Sequence, residues 1–183
     1  MTLCPISRGS RPSTWFFWHA HVVGPGARVL DLACGEGRHS LAAAALGAEV
    51  VAVDRDPAKL AIARERAAAA RLSIDWREAD LEGPWPELGS FDAVLVFNYL
   101  DRASMPRICG LVAPGGRLMM ETFLEAQREA GWGPTSERHL LRFGELPRLV
   151  SPLTVEYGRE VFETVDADRW RVVASVVAVR SKK

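Results

Sequence analysis

The fold is decided by the stretch Val29–Ser40, which reads VLDLACGEGRHS. An apolar run carries Asp31 near its end, and two glycines, Gly35 and Gly37, follow one residue apart before a predicted helix. Glycine lets the backbone turn sharply and approach a ligand closely, because it has no Cβ atom. The first N–H groups of a helix are unpaired and favour electron-rich groups. The stretch therefore predicts a strand, a tight ligand-binding turn and a helix.

Around this stretch, apolar runs and helical patterns alternate along the chain. The predicted strands are Ala27–Leu32, Glu49–Val53, Leu72–Trp76, Phe91–Phe97, Arg117–Phe123, Leu153–Val161 and Trp170–Arg180. The predicted helices are His39–Leu46, Pro57–Ala70, Arg102–Leu111 and a brief one within Leu140–Leu149. Alternation through residue 123 favours a doubly wound, Rossmann-like α/β fold with a mostly parallel sheet. The last two strands, joined by a turn around Val165–Asp168, predict an antiparallel pair at the sheet edge.

Length, net charge and cysteine spacing exclude several classes of protein. The chain of 183 residues is expected to form one domain, and its formal net charge of zero argues against a dedicated nucleic-acid binder. Its three cysteines, Cys4, Cys34 and Cys109, have neither zinc-ligand nor disulfide spacing, so we expect no metal and a cytoplasmic location. No apolar run approaches the ~20 residues that span a bilayer, and no secretory signal is recognisable.

The chain divides into four consecutive parts of one expected domain, 1–183. We expect an N-terminal cap segment at 1–24 and a cofactor-binding core at 25–123. A lid is expected at 124–150, because the polar stretch that contains Gly131-Trp132-Gly133-Pro134 interrupts the alternation. The closing strand pair would occupy 151–183.

The acid in the first strand indicates which ligand the glycine turn takes. A dinucleotide fingerprint would have glycine at position 40, where this chain has Ser40. A carboxylate at Asp31 would also repel a pyrophosphate. S-adenosylmethionine carries a sulfonium, an ammonium and no phosphate, so an acid near the turn favours it. The alternative is a tight turn that binds no ligand.

Two further acids follow predicted strands. Asp54 lies 17 residues after Gly37, about where α/β nucleotide sites place the carboxylate that binds ribose. Its alternative role is to cap the next helix, but Asp56 is better placed for that. Asp80 could accept the adenine amino group while Leu81 covers a face of the ring; the alternative is an ordinary polar loop.

The acceptor side is expected at the end of the Phe91–Phe97 strand. Asn98 and Tyr99 follow this strand, and Asn98 could instead be only a strand-end cap. Glu121 lies within a predicted buried strand, which is costly unless it is paired or points into the site. These three residues are the catalytic candidates, and parts of Trp15–His21 are expected beside them. His39 is expected to cap its helix or to face solvent.

Five segments together resemble the class I S-adenosylmethionine-dependent methyltransferases. They are Val29–Ser40, Glu49–Asp54, Glu78–Leu81, Phe91–Asn98 and Leu111–Thr122. The sequence DLACGEGRHS, with ETF and HLLRFGEL later in the chain, is similar to sequences of a small bacterial subgroup of tellurite-resistance-like methyltransferases.

The resemblance implies a seven-stranded sheet whose last strand is antiparallel and inserted beside its predecessor. It implies that S-adenosylmethionine is the cofactor and assigns its methionine part to Asp31, Gly35 and Gly37, its ribose to Asp54, and its adenine to Asp80 and Leu81. Ala33, Arg55 and Asn98 complete the expected cofactor-binding set.

The implied activity is in-line methyl transfer to a small molecule, with no nucleic-acid or membrane partner. The chain has no prolines after Asn98, unlike methyltransferases that act on nucleic-acid amino groups, and no family catalytic base can be carried over. A non-catalytic S-adenosylmethionine-binding module or sensor is the alternative. An NAD-dependent oxidoreductase is disfavoured by Asp31 and Ser40. The acceptor and the oligomeric state stay open.

Overall fold

The computed structural model describes residues 11–182, so Cys4 and most of the segment before Ser13 lie outside the described residues. Seven strands form one sheet: β1 (Arg28–Leu32), β2 (Glu49–Asp54), β3 (Ile74–Glu78), β4 (Phe91–Phe97), β5 (Val112–Phe123), β6 (Thr154–Thr164) and β7 (Trp170–Val179). Five helices accompany it: α1 (Thr14–Trp18), α2 (Arg38–Ala45), α3 (Pro57–Ala69), α4 (Met105–Gly110) and α5 (Leu146–Leu149). None of the described helices is long and apolar enough to cross a bilayer.

The strand order is β3-β2-β1-β4-β5-β7-β6. The first five strands are parallel, whereas β7 runs antiparallel between β5 and β6. This confirms the predicted α/β fold and its antiparallel closing pair. The chain order reverses between β1 and β4, and ligands of open α/β sheets bind at the carboxyl ends of the strands beside such a reversal.

Each face of the sheet is covered by its own apolar cluster. Leu30 and Leu32 of β1 belong to one cluster and Val29 to the other, as the alternation of side chains along a strand requires. The first cluster includes residues of α4 and α5, and the second includes residues of α1, α2 and α3. Helices on both faces give the doubly wound arrangement.

Several element boundaries differ from the sequence prediction, three of them for a clear structural reason. Strand β3 starts two residues later, because its register pairs Ile74 with Val50 of β2. Strand β5 starts at Val112 rather than at Arg117, since the predicted Pro-Gly-Gly turn is an irregularity inside the strand. The helix predicted within 140–149 is reduced to α5, because Leu141 hydrogen-bonds through its backbone to Phe123 instead.

The segment between β5 and α5 contains two short 3₁₀ turns, Glu125–Ala130 and Glu137–His139. Arg102 anchors it: the guanidinium donates to the carbonyl oxygens of Arg138 (3.1 Å) and Leu140 (2.8 Å). The same guanidinium pairs with the carboxylate of Glu145 at 2.6 and 3.0 Å. This clamp holds the predicted lid segment against the turn that follows β4.

Candidate functional site

The turn between β1 and α2 has a left-handed backbone at three positions. The φ angles are +54° at Ala33, +57° at Gly35 and +76° at Gly37. Such angles are rare for a residue with a Cβ atom, so the backbone of Ala33 is strained. The turn leads directly into the first residues of α2.

Glycine is needed at the two positions of the turn for different structural reasons. A Cβ atom on Gly35 would meet no atom within 4 Å, because this glycine faces an open cavity. A Cβ atom on Gly37 would lie 2.5 Å from Cη2 of Trp76 and 3.1 Å from Cβ of Ala63. Gly37 therefore allows helix–strand packing, whereas Gly35 leaves space for a ligand.

Asp54, the last residue of β2, holds the turn in place. One of its carboxylate oxygens accepts the N–H of Gly35 at 2.7 Å, and the other accepts the N–H of Asp56 at 2.9 Å. A carboxylate offers about four lone-pair positions, so acceptor capacity is left toward the cavity that Asp54 lines. As expected, Asp56 caps α3, because its side chain accepts from the N–H groups of Ala58 and Lys59.

A cavity of about 680 Å³ opens at the carboxyl ends of the five parallel strands. Its size lies within the range of about 300–1,000 Å³ that is usual for small-molecule sites. Seven of the nine predicted cofactor positions line it: Ala33, Gly35, Asp54, Arg55, Asp80, Leu81 and Asn98. Asp31 and Gly37 do not.

Asp31 lies under the turn instead of in the cavity. Its side chain is almost fully buried, and Oγ of Ser40 donates to its Oδ2 at 2.5 Å. Burial raises the pKa of Asp31 to about 7, although the hydrogen bond from Ser40 acts in the opposite direction. At neutral pH this carboxyl group is therefore poised between its charged and neutral forms, and a ligand in the cavity would sense it only through the turn.

The cavity wall after β3 combines an exposed acid with a buried leucine. The side chain of Asp80 is 54% exposed, whereas Leu81 is buried. Arg55 approaches Asp80 at 4.0 Å and Glu82 at 3.8 Å. These surface ion pairs are too long and too solvated to contribute much stability, so the carboxylate of Asp80 stays accessible from the cavity. Glu82 is also paired, more closely, with Arg138.

The end of β4 forms the opposite part of the wall. Asn98 is exposed, has a left-handed backbone (φ +57°), and donates its N–H to the carbonyl of Glu121 at 2.8 Å. Tyr99 is half-buried, and its hydroxyl has no hydrogen-bond partner among residues 11–182. Burial raises the pKa of Tyr99 to about 12, so this hydroxyl remains protonated; its oxygen is shielded from solvent, beside Ser104.

Glu121, the third catalytic candidate, does not line the cavity. It is fully buried, accepts from the hydroxyls of Ser13 (2.6 Å) and Ser175 (2.8 Å), and pairs with Arg159 and Arg171 at 3.1 Å each. All of its acceptor positions are used within this network. The structure thus places Glu121 in a position that joins the N-terminal segment to β6 and β7.

The aromatic segment Trp15–His21 is also away from the cavity, contrary to expectation. Trp15 is buried, donates its indole N–H to the carbonyl of Val176, and lies under the guanidinium of Arg159. The rings of His19 and Trp15 are 4.2 Å apart. No cluster of potential metal ligands occurs among the described residues, these histidines included.

Arg38 and His39 are among the cavity-lining residues that the sequence did not predict. His39 is buried, stacks on Phe97 with the ring centroids 3.7 Å apart, and accepts the N–H of Ser13 at Nε2 (3.0 Å). Burial, and then the nearby cations Arg38 and Arg171, hold its pKa well below the usual range. The prediction that it caps a helix or faces solvent is wrong. The alanine-rich sequence of α2 gives no clear apolar face from which its orientation could be read.

Comparison with known proteins identifies the domain. Residues 29–116 match the family model described as a methyltransferase domain. A ubiquinone biosynthesis O-methyltransferase of Methylocella silvestris is 36% identical over 134 residues, which cover 64% of this chain and 52% of that protein. The corresponding enzyme of Xanthomonas campestris is 40% identical over 109 residues, covering 56% and 46%. The chain thus spans about half the length of these relatives.

Solved structures share the fold at low sequence identity. TehB of Haemophilus influenzae has a TM-score of 0.77 at 16% identity, covering 93% of this chain and 63% of that one. The magnesium protoporphyrin IX methyltransferase of Synechocystis, solved with bound S-adenosylhomocysteine, has a TM-score of 0.68 at 17% identity, covering 91% and 78%. At such identities the similarity concerns the fold alone, so the tellurite-resistance-like subgroup stays a prediction. Residues 29–116 thus match a methyltransferase domain, and the fold of the chain is one that solved S-adenosylmethionine-dependent methyltransferases share.

Proposed function

We propose that this chain binds S-adenosylmethionine in the cavity at the carboxyl ends of β1–β5 and methylates a small molecule. The observation that carries the proposal is the convergence of Gly35, Asp54 and Leu81, which come from three separate turns, on one cavity wall. The residues present fit the cofactor. Open space lies over Gly35, and Asp54 keeps acceptor capacity for hydroxyl groups.

Each part of the cofactor has a matching surface. The turn that contains Ala33 and Gly35 would hold the methionine part. Asp54 would accept hydrogen bonds from the ribose hydroxyls. Leu81 would cover the adenine ring while Asp80, whose side chain is 54% exposed, accepts the adenine amino group.

The charge of the cavity supports a cationic ligand over a diphosphate. The lining carries four carboxylates, Glu36, Asp54, Asp80 and Glu82, against three cations, Arg38, Arg55 and Lys59. Its formal net charge is therefore −1, and a pyrophosphate would be weakly repelled. Asp31 adds to this field from beneath the turn whenever it is ionised. Its contribution is weaker than a direct contact would give, since the carboxyl group is separated from the cavity by the turn.

The acceptor would enter at the aromatic end of the cavity, which is lined by His39, Phe97, Tyr99, Phe123 and His139. S-adenosylmethionine supplies an activated methyl group there, and the protein's main task is to align the acceptor and to exclude water. His139, which is exposed at the rim, can take up the proton of a hydroxyl acceptor. The relatives named as O-methyltransferases favour oxygen as the accepting atom.

Methyl transfer from labelled S-adenosylmethionine to a panel of phenols, catechols and carboxylic acids tests the proposal. Turnover that Asp54→Ala abolishes and that Glu163→Gln leaves unchanged would support it. Cofactor binding without turnover across the whole panel would instead favour the non-catalytic binding module. Absence of cofactor binding would contradict both.

A further inference from the structure

A second cavity, of about 560 Å³, lies in the segment between β5 and α5 and shares no lining residue with the first. Its lining carries five arginines and three glutamates, a net charge of +2 in a protein whose overall charge is zero. The arginines are Arg102, Arg128, Arg138, Arg142 and Arg148, and the glutamates are Glu125, Glu137 and Glu145. The proposed methyl transfer uses none of these residues.

Three of the arginines are already occupied. Arg102 pairs with Glu145, and Arg138 pairs with Glu82. Arg128 donates to the carbonyl of Thr135 at 2.9 Å and approaches Glu137 at 3.5 Å.

The other two arginines, Arg142 and Arg148, are exposed, and their guanidinium groups have no hydrogen bond or ion pair with any residue in 11–182. Glu125 is the lining carboxylate that likewise has no ion pair within the described chain. Arg142 and Arg148 therefore face one unpaired carboxylate, Glu125. Glu145 also attracts Arg142 at longer range, but its carboxylate is already paired with Arg102, so the cavity keeps unmatched positive charge.

The backbone that carries Arg142 is fixed in place. The N–H of Arg142 donates to Glu145 at 2.8 Å, and the N–H of Gly144 donates to Glu160 at 2.7 Å. Glu145 is itself held by Arg102, whose hydrogen bonds keep the pKa of that carboxyl below its usual range. A ligand would therefore meet a preformed backbone, so ordering on binding would be confined to side chains.

An apolar surface continues from the charged cavity. Phe143 is 62% exposed and lines both this cavity and a neighbouring depression of about 250 Å³. The depression is also lined by Phe162 and Trp170, whose rings stack with centroids 4.6 Å apart. The free cations and the aromatic surface therefore meet at Phe143.

We propose that this second cavity binds a small organic anion, whose phosphate or carboxylate group contacts Arg142 and Arg148 while its apolar part packs on Phe143. Guanidinium groups bind both kinds of oxyanion through paired hydrogen bonds. The site is separate from the cofactor cavity and does not depend on the proposed methyl transfer.

Calorimetric titration of the whole chain with phenyl phosphate, phenylacetate and inorganic phosphate at low ionic strength tests the proposal. We expect one of the two phenyl compounds to bind at low-millimolar concentration or better, and inorganic phosphate to bind more weakly. Binding of phenyl phosphate would indicate a phosphate ligand, and binding of phenylacetate would indicate a carboxylate ligand. Saturating S-adenosylhomocysteine should leave the affinity unchanged, because the two cavities share no residue.

Substitutions distinguish binding in this cavity from a general effect of the protein's charge on anions. Arg142→Gln combined with Arg148→Gln should weaken binding by about tenfold or more, since two charge-assisted contacts are lost. The matched control, Arg64→Gln with Arg71→Gln, removes the same charge from exposed positions at α3 and should have little effect. Glu125→Gln should strengthen binding, and Phe143→Ser should weaken the phenyl compounds only. No binding by either phenyl compound, displacement by S-adenosylhomocysteine, or equal losses in the control would overturn the proposal.

Discussion

Substitution of alanine for each of the two glycines of the turn should show that Gly37 is needed for packing and Gly35 for ligand binding. In Gly37→Ala, the new Cβ atom would lie 2.5 Å from the ring of Trp76, with φ at +76°. A left-handed backbone costs a residue with a Cβ atom about 1–2 kcal/mol, and overpacking costs about 1–3 kcal/mol. The free energy of unfolding should therefore fall by about 2–5 kcal/mol, a large share of the ~5–15 kcal/mol that is usual for a domain.

Gly35→Ala carries nearly the same backbone strain, at φ +57°, but its Cβ atom meets no protein atom within 4 Å. We expect it to lose only about 1–2 kcal/mol of stability. The added methyl group projects into the cavity, so affinity for S-adenosylhomocysteine should fall by about tenfold or more. Urea unfolding and calorimetric titration of both variants measure the two effects.

A double-mutant cycle with Trp76→Leu gives the control for Gly37→Ala, because it removes the ring that the new Cβ atom would contact. The two changes should couple by about 1–3 kcal/mol in the direction of rescue. Equal stability of Gly35→Ala and Gly37→Ala, or no coupling to Trp76, would refute the packing argument. Unchanged cofactor affinity in Gly35→Ala would refute the ligand argument.

Three further predictions concern Asp31, Glu121 and Arg102. The pKa of Asp31 is about 7 in the folded chain and about 3.9 in the unfolded one, so the native state binds the extra proton and stability should fall as the pH rises between these values. Asp31→Asn should remove this fall and be more stable than the wild type at pH 8, as urea unfolding at several pH values will measure. Glu121→Gln removes the fully buried one of the two carboxylates that Arg159 and Arg171 share, so unfolding should cost about 3 kcal/mol less. The more exposed Glu163→Gln should lose less in the same assay. Arg102→Ala removes the clamp on residues 137–145, so limited proteolysis should cut this segment faster than in the wild type.

Each of these predictions has a contrary outcome. A pH profile of Asp31→Asn that parallels the wild type would show that this carboxyl group does not titrate abnormally. If Glu163→Gln lowers the free energy of unfolding as much as Glu121→Gln does, Glu121 is not the main stabilising carboxylate of the buried network. Unchanged cleavage in Arg102→Ala would show that other contacts hold the segment.

The alternation of strands and helices and the position of the cavity could be predicted because they depend on local patterns. Alternating apolar runs and helices determine a doubly wound sheet, and residues that follow parallel strands meet at one edge. That rule, together with the spacing of Asp54 from Gly37 and the family resemblance at Leu81, predicts both residues at this edge, and both line the cavity. Their binding roles stay predictions.

The orientation of side chains within elements could not be predicted in the same way. Glu121 and Asp31 lie in strands whose neighbouring residues are apolar on both faces, so the sequence does not indicate which face holds a paired acid. Glu121 is neutralised by Arg159 and Arg171, which are 38 and 50 residues further along the chain. His39 was missed because the alanines around it give no periodicity. Long-range pairing and helix rotation are properties of the packed molecule.

The most direct test of the account is calorimetric titration of the chain with S-adenosylhomocysteine and, in parallel, with NAD⁺. The account predicts a micromolar dissociation constant for the first ligand, lost in Asp54→Ala, and no measurable binding of the second. Binding of NAD⁺ in this cavity, or failure of S-adenosylhomocysteine to bind a folded chain, would contradict it.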